Sequence, residues 1–236
     1  MNSIIKLEDV WKRYNMGKSG GLTVLKEIDL DIKEGEFVAI NGPSGSGKST
    51  VMHLIGALDR PSYGHVYIKS RDVRGMNKNS LADLRGKSIG FIFQQFNLLP
   101  TFSALENVMI PMELINVPDK EARARATELL TLLGLGDRLN HKPTELSGGQ
   151  QQRVAIARAL ANDPEVIIAD EPTGNLDSKT GEFVMNFLSR LNRGGKTIII
   201  VTHETDLVGY ASRVIYIKDG MIEKQVINRK PLGRKQ

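Results

Sequence analysis

Gly42-Pro43-Ser44-Gly45-Ser46-Gly47-Lys48-Ser49-Thr50 decides how this chain is read. It follows an apolar run, Phe37-Val38-Ala39-Ile40, that reads as a buried strand, and it precedes Val51-Met52-His53-Leu54-Ile55, which reads as the start of a helix. Strand, glycine-rich loop and helix is the setting in which G-x-x-x-x-G-K-[ST] acts as a phosphate-binding loop. Glycines lack a Cβ and tolerate positive φ, so the loop's backbone N–H groups can converge on one point. The helix turns its unpaired N–H groups and positive dipole end to the same point. In this pattern Lys48 reaches the outer phosphates of a nucleotide and the Ser49 hydroxyl holds Mg²⁺. Gly42, Ser44, Gly45, Ser46, Gly47, Lys48, Ser49 and Thr50 form the phosphate-binding set.

Outward from the loop, residues 4–10 show a short apolar/polar alternation that predicts an edge strand. Lys26 to Ile32 alternates with Ile28, Leu30 and Ile32 on one face and Asp29 and Asp31 on the other, the pattern of a half-buried strand. Glu34-Gly35 turns it into the strand that feeds the loop. Asp59-Arg60-Pro61-Ser62-Tyr63-Gly64 reads as a turn before a strand His65–Ile68, and Ile89-Gly90-Phe91-Ile92-Phe93 as another buried strand ending at Gln94. Between Ser103 and Ala161 the patterns become helical; Ala122, Ala126, Leu129, Leu130 and Leu133 share one helix face that ends near Gly134 and Gly136. Strands return at Val166–Ala169, Thr197–Val201 and Arg213–Lys218. The chain thus reads as an α/β core interrupted by a helical insert, with no internal repeat.

The 236 residues are 40% hydrophobic and 25% charged, a globular composition. There is no cysteine, which excludes disulfides and cysteine-ligated metal. No apolar run approaches the roughly 18 residues of a membrane span, and Met1-Asn2-Ser3-Ile4-Ile5-Lys6 lacks the apolar core of a signal peptide. The expectation is a soluble, cytoplasmic protein whose role at a membrane, if it has one, passes through a separate membrane partner. The net charge is +5. Arg229, Lys230, Arg234 and Lys235 lie in the last eight residues and read as a solvated tail; no nucleic-acid partner is expected.

Leu146-Ser147-Gly148-Gly149-Gln150 opens a helix running from Gln151 to Ala161. Ser147 is a good N-cap and the two glycines expose backbone N–H groups, so this is a second candidate anion site, without a lysine. If both loops bind phosphate, there are two sites, or one shared between two subunits. Downstream, Val166-Ile167-Ile168-Ala169 ends in Asp170-Glu171. An acidic residue at that place helps hold Mg²⁺, the role assigned to Asp170, often through water. Glu171 would orient and deprotonate an attacking water.

Leu-Ser-Gly-Gly-Gln between a phosphate loop and an acidic strand end resembles the signature motif of ATP-binding-cassette (ABC) ATPases, and the resemblance runs from Tyr14 to His203 with every motif in order. It implies a P-loop NTPase (RecA-like) core with an antiparallel β subdomain and an inserted α-helical subdomain. All of residues 1–236 would form one such domain, with core and β subdomain at about 1–94 and 163–236 and the helical subdomain at about 95–162. It also implies ATP and Mg²⁺ as ligands, and a head-to-tail homodimer. In that dimer Ser147, Gly148, Gly149 and Gln150 of one subunit cap the nucleotide on the other's phosphate loop. The resemblance makes Gln94, preferred over Gln95, a Mg²⁺ ligand and γ-phosphate sensor at the joint before Phe96-Asn97-Leu98-Leu99-Pro100. His203 becomes a γ-phosphate contact. Gly174-Asn175-Leu176-Asp177 becomes a loop crossing the dimer interface, where Asp177 is retained although Ser-Ala more commonly stands before Leu-Asp. An aromatic near the N-terminus would stack on adenine; Tyr14 is preferred, with Trp11, which extends the alternation of residues 4–10, as its rival.

Phe93 to Pro100 and Ala104-Leu105-Glu106-Asn107-Val108 resemble the lipoprotein-release, macrolide- and antimicrobial-peptide-export branch. The expected function is the ATP-hydrolysing subunit of a transporter, peripheral on the inner face of the cell membrane through a separate permease. Lys48, Glu171 and His203 are its catalytic residues. The rival is a soluble ABC ATPase acting on DNA or ribosomes. Such relatives usually carry a long coiled coil or two cassettes in one chain, and this chain has neither.

Overall fold

In the computed structural model, residues 2–15 and 21–233 are described, and the chain divides into two compact units, Met1–Leu81 with Leu188–Gln236, and Ala82–Phe187. The first unit opens on β1 (Ser3–Asn15), β2 (Gly21–Lys33), β3 (Phe37–Asn41), α1 (Lys48–Ile55), β4 (Tyr63–Ile68) and the short β5 (Arg71–Asp72). Helix α2 (Lys78–Ser88) leads out of it. The second unit holds β6 (Ile89–Ile92), α3 (Ala104–Glu113), α4 (Asp119–Leu132), α5 (Gly148–Leu160) and β7 (Val166–Asp170). Helix α6 (Ser178–Arg193) precedes β8 (Thr197–Thr202), α7 (Thr205–Val208), β9 (Arg213–Lys218) and β10 (Met221–Ile227), which return to the first unit. Among the described residues no helix is long and apolar enough to cross a membrane.

The first unit carries an antiparallel sheet in the order β2-β1-β4-β5. Its strand β1 is not the edge strand that its short alternation predicts: it pairs with β2 on one side and β4 on the other. The strand is also longer than the alternation, because register shifts between Leu7 and Val10 and between Val10 and Lys12, with Asp9 at φ 45°, reset which side chains face inward. Lys12 takes an inward place, and Trp11 is left half-exposed, its indole N–H donated to Asp9 at 3.1 Å, rather than in the core. In the same unit, β3 pairs in parallel with both β8 and β9, and β9 antiparallel with β10. Phe37 to Ile40 and all of β8 are buried, as strands covered on both faces must be.

In the second unit β6 and β7 pair in parallel. The helical region folds around the face read from the sequence: Ala122, Ala126, Leu129, Leu130 and Leu133 are all buried. Arg229 and Lys230 are exposed; Arg234, Lys235 and Met1 lie outside the described residues.

Candidate functional site

The phosphate loop is positioned by β3 and α1. Two of its glycines are required by close approach. A Cβ on Gly42 would lie 2.1 Å from the Ile217 carbonyl oxygen, and one on Gly47, whose φ is +104°, would lie 2.7 Å from Leu25 Cδ2. Gly47 also stands at the N-cap of α1, so the helix starts with no side-chain cap and no acidic residue in its first turn. Its first N–H groups and positive end are therefore left for a ligand. The Ser46 hydroxyl is buried and has no partner among the described residues. Lys48 Nζ donates to the carbonyls of Gly42 and Pro43 at 2.8 and 2.9 Å. Those are neutral acceptors, and a phosphate oxygen is a stronger one for an ammonium. Uncapped helix, unpartnered hydroxyl and loop-held lysine form a donor set that fits a polyphosphate.

Two other sequence-predicted residues of this unit lie beside the loop. Asn41 pairs with Thr202 in parallel strands, so His203 emerges at the same end as Gly42, and both line a groove of about 270 Å³ with Pro43 and Tyr216. Tyr14 is 37% exposed. Its hydroxyl donates to Asp59 Oδ2 at 2.9 Å, with the Thr50 side chain hydrogen-bonded to the same group. Burial first, then the Asp59 hydrogen bond and charge, raise the Tyr14 pKa. Lys12 Nζ sits 4.7 Å from the Tyr14 ring centroid and bonds Asp59 Oδ1 at 2.7 Å and the Arg60 carbonyl at 2.8 Å. The Lys12–Asp59 pairing does not figure in the sequence reading, where Asp59 only opens a turn, because the two residues are 47 apart.

The second unit holds the other set. Ile92 pairs with Ala169, so Gln94 and Asp170 leave the same end of the β6–β7 pair. Glu171 follows at φ 43°, left-handed and directly before Pro172. Asn175 Nδ2 donates to the Gln94 carbonyl at 2.9 Å, and a Cβ on Gly174 would lie 2.9 Å from Gln94 Nε2, which fixes the Gln94 side chain against this turn. Asp177 caps α6: its Oδ1 accepts from the Thr180 amide at 3.0 Å and its Oδ2 from the Thr180 hydroxyl at 2.7 Å, and those bonds lower its pKa. Ser147 caps α5 in a capping box: Ser147 Oγ accepts from the Gln150 amide at 3.3 Å, and Gln150 Oε1 from the Ser147 amide at 2.8 Å. Gly148 is exposed at that start, and a Cβ on Gly149 would lie 2.8 Å from Thr180 Cγ2.

The segment after Gln94 is pinned. Half-buried Arg158 donates to the carbonyls of Asn97 and Phe96 at 2.6 and 2.8 Å, and its partial burial lowers its pKa. Asn107, fully buried, holds the Leu99 amide and the carbonyls of Leu99, Phe102 and Ser103. A groove of about 410 Å³ lies along this segment, lined by Phe96, Leu98, Pro100, Pro143 and Gln151 among others. Among the described residues no group of three or more His, Asp or Glu side chains could hold a metal ion without further ligands.

A family model described as ABC transporter matches residues 25–174. The chain is 54% identical to the ABC transporter ATP-binding protein MJ1508 of Methanocaldococcus jannaschii, over 96% of this chain and all of that protein. It is 50% identical to the macrolide export ATP-binding/permease protein MacB of Vibrio parahaemolyticus over 95% of this chain, which spans 34% of that protein. A dimeric structure of the cassette MJ0796 in a post-hydrolysis state, bound to ADP and phosphate, superposes with a TM-score of 0.88 at 49% identity, covering 95% of this chain and 99% of that one.

Proposed function

Because the chain belongs to the ABC transporter family, as an ATP-binding subunit, we propose that it hydrolyses ATP in a head-to-tail homodimer and so drives a separate membrane permease. The observation that carries this reading is the start of α1, uncapped, free of acidic residues and flanked by the unpartnered Ser46 hydroxyl. The loop amides and Lys48 hold the β- and γ-phosphates, and Tyr14 offers its ring to adenine. Ser49, Asp170 and Gln94 are the residues that would hold Mg²⁺, Asp170 through water. The ion's chemistry is to neutralise charge on the phosphate oxygens. Glu171 takes the proton of the attacking water and His203 contacts the γ-phosphate. Ser147, Gly148, Gly149 and Gln150 cap the nucleotide of the second copy, and Asp177 shapes the turn beside it.

In this reading residues 1–236 act as one ATPase domain, and the helical subdomain at about 95–162 is the part that moves, with Gln94 and the pinned segment after it as the joint. The groove along Phe96, Leu98 and Pro100 receives the permease, which places the subunit peripherally on the inner membrane face. The similarity to MacB supports export of a lipophilic or peptide substrate.

The test is Glu171→Gln. The variant is expected to bind ATP, to turn it over very slowly and to elute as a dimer from gel filtration in ATP. A variant that stays monomeric in saturating ATP refutes the shared site.

A further inference from the structure

Gln152 lies one turn inside α5, 1% exposed, on a face it shares with the buried Ala155, Ile156 and Ala159. Its Nε2 donates to the Pro172 carbonyl at 2.8 Å. That orientation follows from chemistry, since a carbonyl only accepts and only the NH₂ end of the amide can serve it. Its Oε1 is buried and has no partner among the described residues. A methionine would fill this space with no orphaned Oε1 but would leave the buried Pro172 carbonyl without its donor, so what the glutamine adds beyond packing is that one bond.

What the bond holds is a constrained turn. Glu171 is a non-glycine residue at φ 43°, and the residue after it is proline. A left-handed conformation persists only where the surroundings over-determine it, and a following proline disfavours helical backbone further. Pro172 has no N–H, so its carbonyl is the only backbone hydrogen-bonding group through which that residue is anchored. Gly174 N bonds the Glu171 carbonyl at 3.1 Å and closes the turn from within; Gln152 ties it to a rigid helix.

We infer that Gln152 is a positioning residue that holds the Glu171–Pro172 backbone to α5 and thereby makes the aim of the Glu171 carboxylate depend on the position of the signature helix. The inference rests on the reading of Glu171 as the hydrolytic base. Its consequence is a link within one chain between the two ends of a shared site. The α5 start, with Ser147, meets the second copy's nucleotide, and one turn later Gln152 sets the base that serves the chain's own nucleotide.

The experiment uses the full chain with Gln152→Met and Gln152→Glu, measuring steady-state kcat and KM for ATP across pH, with melting temperature as the control for folding. Gln152→Met is expected to lose ten-fold or more in kcat, with KM within two-fold and the melting temperature lowered by only a few degrees, since the orphaned Pro172 carbonyl is partly offset by the loss of the unpartnered Oε1. Gln152→Glu can donate to the Pro172 carbonyl only when protonated, so its kcat relative to the parent should rise several-fold from pH 9 to pH 6. A fully active Gln152→Met overturns the inference. If that variant does not fold, the second decides: a Gln152→Glu ratio that is flat with pH overturns it. Glu171→Gln is assayed alongside. Normal turnover there overturns the reading of Glu171 as base and the inference with it, whereas an inactive Glu171→Gln beside an active Gln152→Met overturns the inference alone.

Discussion

Asp59→Ala tests whether the tyrosine beside the phosphate loop is a built platform. Asp59 accepts from Lys12 at 2.7 Å, from the Tyr14 hydroxyl at 2.9 Å and from the Arg60 amide at 2.7 Å. Its removal strands an ammonium whose side chain is 10% exposed. Breaking a fully buried pair costs about 3–5 kcal/mol. Here the Asp59 side chain is 31% exposed and the Arg60 carbonyl remains on Lys12, so about 2 kcal/mol is expected. For a chain of this length that lowers the melting temperature by about 4–8 °C. Burial opposes the charge on Asp59, but the Lys12 ammonium, the Arg60 amide and the Tyr14 hydroxyl outweigh it and hold the carboxyl below its ordinary value. A carboxylate held low contributes stability above its unfolded pKa, near 3.9, and loses it as pH falls through the lower folded value. The deficit is therefore constant at neutral pH and closes below about pH 4. The freed Tyr14 ring loses part of a stacking contribution of roughly 1–3 kcal/mol. ATP affinity by calorimetry should fall about five-fold, while affinity for inorganic triphosphate, which has no base, stays unchanged. An unchanged melting temperature, a deficit that persists in acid, or equal losses for both ligands would refute the reasoning.

Lys48→Ala removes the loop's one ammonium; a hydrogen bond to a charged partner contributes about 1.5–3 kcal/mol, so ATP affinity by calorimetry should fall ten-fold or more, and an unchanged affinity counts against the loop. Asn107→Ala strands the buried groups that hold the segment after Gln94. It should cost about 3 kcal/mol in urea unfolding and open residues 96–102 to limited proteolysis with ATP affinity retained; an unaltered digestion pattern would show that Asn107 does not pin the joint.

The phosphate loop, the signature helix and the acidic strand end were legible because each is a local pattern. Glycine spacing, an N-cap with Gln three residues on, and an apolar run meeting two carboxylates all fall within a few consecutive residues. The place of β1 was not legible. Its alternation breaks at Asp9, where a left-handed residue shifts the register, and no local pattern says that β4 returns to its second side. That shift turns Lys12 inward to Asp59 and leaves Trp11 half-exposed. Gln152 was hidden inside the run Gln150-Gln151-Gln152. One signal could have found it: it occupies an i, i+3, i+4, i+7 position shared with Ala155, Ile156 and Ala159, a polar residue on an otherwise apolar stripe. The backbone of Glu171 leaves no mark in the sequence beyond the proline after it.

The two glycine-rich helix starts differ in a way that bears on the proposed pairing. Helix α1 begins with no cap and with a lysine as its first residue, so an anion arriving there displaces nothing but two carbonyl contacts to that lysine. Helix α5 begins with its own capping box, and no charged side chain stands among Ser147, Gly148, Gly149 and Gln150. The Ser147 oxygen already accepts from Gln150, which leaves its hydroxyl proton and the amides of exposed Gly148 and half-buried Gly149 as donors. A neutral, partly self-satisfied donor set holds a free triphosphate in water weakly. It adds to binding when the nucleotide is already fixed on a second chain, because the contact then forms at high effective concentration. The same helix carries Gln152 to the carbonyl after Glu171, so the weak contact at its start is the one whose making would move the base.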